Sequence, residues 1–173
     1  MNKIDAKLLV SVNAKTAFLK ISGRASCACS EDFKTLLNEL RERSVQRFVL
    51  DLTDCTTMDS TFLGVLAGQA TVADEARNGS GKHQLELLNP NPRVADLIDN
   101  LGVIHLFQIV EGDPIAQTGL DEVTLQSSSP LQLTKTCLEA HQKLMELNPN
   151  NVPKFKDVAA FLTEDLKKNS NPR

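Results

Sequence analysis

Residues Phe48 to Gly79 constrain this chain more than any other stretch: an apolar run, a polar break, then a long helical period. Phe48-Val49-Leu50-Asp51-Leu52 is a short run of β-formers, as a buried strand requires. Thr53 to Thr57 is polar and does not suit a strand interior. Apolar spacing then predicts a helix over residues 61–78, stopped by Asn78-Gly79. Asp59 or Ser60 suits the N-cap, because a short side-chain oxygen can bond the N–H groups that a first turn leaves free.

The flanks extend this unit into an α/β sheet. Leu8–Val12 and Thr16–Ile21 read as a hairpin around Asn13-Ala14-Lys15, with Gly23 ending the second strand. Ser30, as N-cap, opens a helix whose apolar positions are Phe33, Leu36, Leu37 and Leu40. Beyond the central helix, Gly79-Ser80-Gly81 reads as a turn and Gln84–Leu88 as a strand. Asn89-Pro90-Asn91-Pro92 is a break, since neither proline can donate to a ladder. A helix over residues 93–101, Gly102 and a last strand at His105–Val110 complete the series. The order β-β-α-β-α-β-α-β implies a mixed sheet with parallel crossovers and an antiparallel hairpin at its start.

This unit spans residues 1–112. Residues 113–130 lack a period, and Gln126-Ser127-Ser128-Ser129-Pro130 reads as a linker. Residues 131–168 then form a C-terminal extension of two amphipathic helices, at 131–147 and 153–168, with Pro153 in the first turn of the second. Two such helices cannot bury their apolar faces alone. They are expected to pack on the sheet domain, on each other or on a second chain, as a homodimer element or as a cover for the open face of the sheet.

Composition removes several function classes. The 173 residues are 41% hydrophobic with net charge -3, a globular composition that argues against nucleic acid as partner. Trp and Tyr are absent, which disfavours a stacking site built on them. The first fifteen residues lack the apolar core of a signal peptide and no run is long enough to span a bilayer, so no direct membrane insertion and a cytoplasmic location are expected. The four cysteines are too few and scattered for a disulfide framework. Cys27-x-Cys29 lacks zinc or redox spacing and reads as small buried residues. Asp51, Asp54 and Asp59 bring carboxylates near one another, but turn and strand-end aspartates are common, so no metal is expected. His83, His105 and His141 are far apart with no paired nucleophile. No catalytic residue and no cofactor are therefore expected, and a small enzyme using the aspartates or Cys55 has no support.

Val49-Leu50-Asp51-Leu52 followed by Met58-Asp59-Ser60-Thr61-Phe62-Leu63-Gly64-Val65-Leu66 resembles the STAS domain, the fold of bacterial anti-sigma factor antagonists. The family pattern there is an apolar strand, a polar turn, Asp-Ser-Ser/Thr-Gly-Leu-Gly and an apolar helix. Gly23, Pro92 with Val94 and Leu97, and Leu101-Gly102-Val103 fit as well. Phe62 departs from the pattern, standing where a glycine is usual.

The resemblance implies that Ser60 is the phospho-acceptor, with Thr61 as the alternative. Asp59 would position the hydroxyl, and Asp54 would lie close enough to oppose the added charge. It also implies an anti-sigma factor that is itself a serine kinase of the histidine-kinase-like ATPase type, and a phosphatase. Phosphoserine carries about -1.5 to -2 charge, enough to change a docking surface in one step. The docking face expected for such a partner comprises Thr61, Phe62, Gly64, Val65 and Gly68, the two glycines allowing another backbone to come close. The alternative within the family is a constitutive subunit of a transporter or lipid-trafficking complex, docked through the same helix without phosphorylation.

Overall fold

The computed structural model describes residues 3–75 and 85–170. Strands β1 (Ala6–Asn13) and β2 (Thr16–Ala25) form the antiparallel hairpin, turning through Ala14 at φ 54°. Helix α1 (Cys27–Glu42) leads to β3 (Arg47–Asp51), a short β4 (Cys55–Met58) and α2 (Ser60–Glu75). Strand β5 (Leu85–Leu88), α3 (Pro92–Asn100), a 3₁₀ turn (Ile104–Leu106) and β6 (Gln108–Val110) follow. The sheet runs β6-β5-β3-β2-β1-β7, where β7 is Asp121–Val123, with β4 paired to β2 beyond the end of β3. All pairings from β2 to β6 are parallel, which places helices as crossovers, whereas β1 pairs antiparallel with both neighbours.

Several expectations shift. The Thr53–Thr57 break contains β4, because Gly23 bulges and β2 continues to Ala25 instead of ending. Gly23 sits at φ +84°, and a Cβ there would lie 2.4 Å from the Asp5 carbonyl, so only glycine fits. The 113–130 segment is not merely a linker: β7 (Asp121–Val123) adds an edge to β1, and the Ile115 amide donates to Asp51. The last strand is shortened, since Ile104–Leu106 coil into the 3₁₀ turn. The turn at 79–81, the stop at Asn78-Gly79 and His83 lie outside the described residues.

The core is apolar and continuous from the sheet into the helices. Leu19, Ile21, Phe48, Leu50 and Leu87 from the strands meet Phe33 and Leu37 of α1 and Leu63 and Leu66 of α2, all fully buried. Lys20 and Asp51, opposite each other on β2 and β3, are buried on the other face of the sheet and pair at 3.1 Å. Burial alone would raise the Asp51 carboxyl, but bonds from the Thr53 hydroxyl and amide, the Ile115 amide and Lys20 outweigh it and hold the group below its ordinary value. Burial opposes the Lys20 charge, and Asp54 and Asp51 overcome that and raise it.

Helices α4 (Pro130–Leu147) and α5 (Val152–Ser170), joined by a 3₁₀ turn at Pro149–Asn151, form the extension. They do not cover the open face of the sheet. Helix α4 lies across α2 and touches α1, and α5 packs on α4. Ala140 and Leu144 join the main core, and the buried Asn151 amide ties the connection to the Leu101 and Leu144 carbonyls. Gly64 of α2 lets α4 come close, and Glu31 and Lys34 of α1 bond Thr136 and Glu139 at its side.

Candidate functional site

The strand-turn-helix unit places Asp59 at the junction of two helices. Its Oδ1 accepts the Phe62 amide at 2.8 Å, which caps α2, and its Oδ2 accepts the Cys27 amide at 2.8 Å, which caps α1. This second bond explains why α1 begins at Cys27 and not at Ser30. Ser26 occupies the N-cap position without a side-chain cap bond, and the Ser30 hydroxyl instead donates to the Ser26 carbonyl. One carboxylate thus does the capping for both helices.

Ser60, the first residue of α2, is consequently spared that duty. Its Oγ lies 2.9 Å from His141 Nε2 on α4. The other imidazole nitrogen, Nδ1, lies 3.6 Å from Cys137 Sγ, and the Thr61 hydroxyl donates to the same sulfur at 3.3 Å. Phe155 of α5 stacks on the imidazole at 4.7 Å. Burial lowers the His141 pKa and the charge of Asp59 opposes the shift, so the ring is neutral at pH 7. In the tautomer with hydrogen on Nδ1, Nε2 accepts from the serine and Nδ1 faces the thiol.

The expected docking residues separate into two groups. Phe62 is in the core, fully buried, its ring 4.9 Å from that of Phe33. It is a packing residue, since a side chain following the capped turn points to the sheet and not outward. Thr61, Gly64 and Val65 are buried with α4 above them, and Gly68 is half-buried at the margin. At Gly64 the two helices come closest: a Cβ there would lie 2.5 Å from the Ala140 carbonyl oxygen and 2.8 Å from its Cβ. Gly68 is not held to such a contact, its nearest neighbour being Lys143 Cγ at 3.7 Å. Val65, Gly68 and Val72 instead line a groove of about 210 Å³ between α1, α2 and α4, together with Lys34, Glu139 and Lys143. Asp54 spends its carboxylate on Lys20 at 3.0 Å, which draws it toward the sheet.

His141 and Cys137 belong to this site, which corrects the expectation that His141 has no paired nucleophile. Their spacing of four puts them on one face of α4, but nothing local links that face to a serine 81 residues away. The remaining thiols are held toward their protonated form. Burial pushes Cys29 up to about 11 and raises Cys55 and Cys27, the last also by the charges of Asp59 and Cys137. Among the described residues no three His, Cys, Asp or Glu side chains are placed to hold a metal ion, and no helix is long and apolar enough to cross a membrane.

The family model of the STAS domain matches residues 7–118. No curated protein matches the sequence. Among solved structures, the chain is similar to a putative anti-sigma factor antagonist from Thermotoga maritima, at 16% identity and TM-score 0.52, over 60% of this chain and 85% of that one. An anti-sigma factor antagonist from Mycobacterium paratuberculosis matches at 15% identity and TM-score 0.50, over 63% and 89%. The unphosphorylated anti-sigma factor antagonist SpoIIAA matches at 18% identity and TM-score 0.49, over 62% and 89%.

Proposed function

The chain belongs to the STAS domain family, and from that premise we propose that it is a protein-binding regulator of the anti-sigma factor antagonist kind, switched by phosphorylation of Ser60. The observation that carries this reading is the division of labour at the start of α2. Asp59 caps the helix, so the Ser60 hydroxyl has no capping duty and stands at a helix amino end, against His141. An added phosphate is favoured there by the helix dipole, and it changes the charge of the adjoining docking face. The partner that fits is an anti-sigma factor acting as serine kinase, with a phosphatase to reverse it.

The Ser60–His141 pair is a nucleophile beside a base, but it lacks the rest of a catalytic centre. The far imidazole nitrogen faces a thiol, the Asp59 oxygens are committed to backbone amides, and Ser60 does not line the groove between α1, α2 and α4. The module therefore acts by binding. Intact-mass spectrometry of the protein from its own cells, beside a Ser60→Ala control, tests the switch. One added phosphate that the substitution abolishes is the expected result. No phosphate under growth or stress would overturn the switch and turn the reading to a constitutive subunit.

A further inference from the structure

The stripe of α2 that surrounds the acceptor is already occupied. We propose that α4 and α5 are an intramolecular cover, seated on the docking face and displaced when Ser60 carries a phosphate. This rests on the reading of Ser60 as acceptor and adds a gate to it. Until α4 lifts, a partner helix cannot reach Gly64 from this side, because the Ala140 backbone already lies against it.

Three features make the cover removable. Its contact with the start of α2 consists of small and polar groups: Cys137 on Thr61, Ala140 on Gly64 and His141 on Ser60. At this end the seat holds by fit and hydrogen bonds, while Leu144, farther along α4, is buried in the main core. The two helices are also joined to each other, since Phe155 stacks on His141 and the Asn151 side chain bonds the Leu144 carbonyl, so that lifting them together breaks one bond of the connection, from Asn151 to the Leu101 carbonyl. Finally, the segment entering α4 is largely exposed from Gln126 to Ser129, its Gln126 amide bonded to Asp32 at 2.9 Å. That is a short tether on which the pair can swing.

Ser60 is placed to work the gate from beneath. Its oxygen is within 2.9 Å of a buried neutral imidazole, a gap with no room for a phosphoryl group. The phosphate remains at the amino end of α2, where the dipole favours it, and α4 must give way.

The test is hydrogen exchange on the full chain with phosphoserine installed at position 60 during translation, beside the unmodified chain. We expect amides of α4 and α5 to exchange at least tenfold faster, with β2 and β3 unchanged. Unchanged protection of α4, or loss of protection in the sheet as well, would overturn the proposal. Ala140→Arg, which wedges the same seam from the α4 side and leaves the sequence of α2 unchanged, is expected to free α4 and leave the sheet protected. If it unfolds the sheet, or if it frees α4 while the phosphate does not, the gate is refuted. Whether cells phosphorylate Ser60 is decided separately by intact mass, so either claim can fail alone.

Discussion

The two faces of α2 are built from different materials. The inner face sets Phe62, Leu63, Leu66 and Ala70 against α1 and the sheet, large apolar groups with no freedom. The outer face sets Ser60, Thr61 and Gly64 against α4 through two side-chain hydrogen bonds and one close backbone approach. Burying a large apolar side chain contributes about 1.5–3 kcal/mol, whereas a neutral hydrogen bond contributes roughly 1 kcal/mol net. One helix can therefore anchor the fold on one side and present a reversible seat on the other.

The largest expected effect breaks the inner face. Phe62→Ala should destabilise the whole domain by about 3–5 kcal/mol in urea unfolding, because it removes a buried ring packed on Phe33. A loss confined to α4 would place Phe62 on the wrong side. Gly64→Ala comes next. Its new methyl group would meet the Ala140 carbonyl, so a cost of about 1–3 kcal/mol is expected to fall on α4 and α5 while the sheet keeps its exchange protection.

Asp59 and Ser60 sharpen the contrast between neighbours. Asp59→Ala removes caps from two helices and should cost about 1–2 kcal/mol, whereas Ser60→Ala loses one hydrogen bond and should cost less than about 1 kcal/mol. Equal losses would mean that Ser60 is structural after all.

The smallest effect is a pH dependence of the seat. His141 is held below its ordinary 6.5 by burial, with the Asp59 carboxylate opposing and the Cys137 thiol on its other nitrogen. The open form therefore binds a proton more readily than the closed one. Closure should be fully favoured above pH 6.5 and weaken as pH falls through that value, and His141→Phe should abolish the trend in α4 exchange.

Much of the fold was legible because local and global signals agree. Phe48–Leu52 and the hairpin carry the strand pattern, and α3 carries both its proline and the Asn91 cap. Apart from the local 3₁₀ turn that shortens the last strand, the misses share one cause, long-range contact. Strand β4 exists only because β2 runs past a bulge at Gly23, and β7 is three residues, largely exposed, recruited by β1. Helix α1 starts early because an aspartate 32 residues away caps it. At the site, Asp59 and Ser60 were visible as a helix start, but their division of roles was not. Phe62 looked like part of an outward stripe because α2 is apolar on several sides, and periodicity does not say which side is covered last.

Native-state hydrogen exchange on the unmodified chain tests the central contrast most directly. If the outer face is a reversible seat, amides of α4 and α5 will exchange through an opening at least tenfold more frequent than the one that exposes β2 and β3. Exchange of all four elements through one common global opening would contradict it, and would make the extension a fixed part of the core.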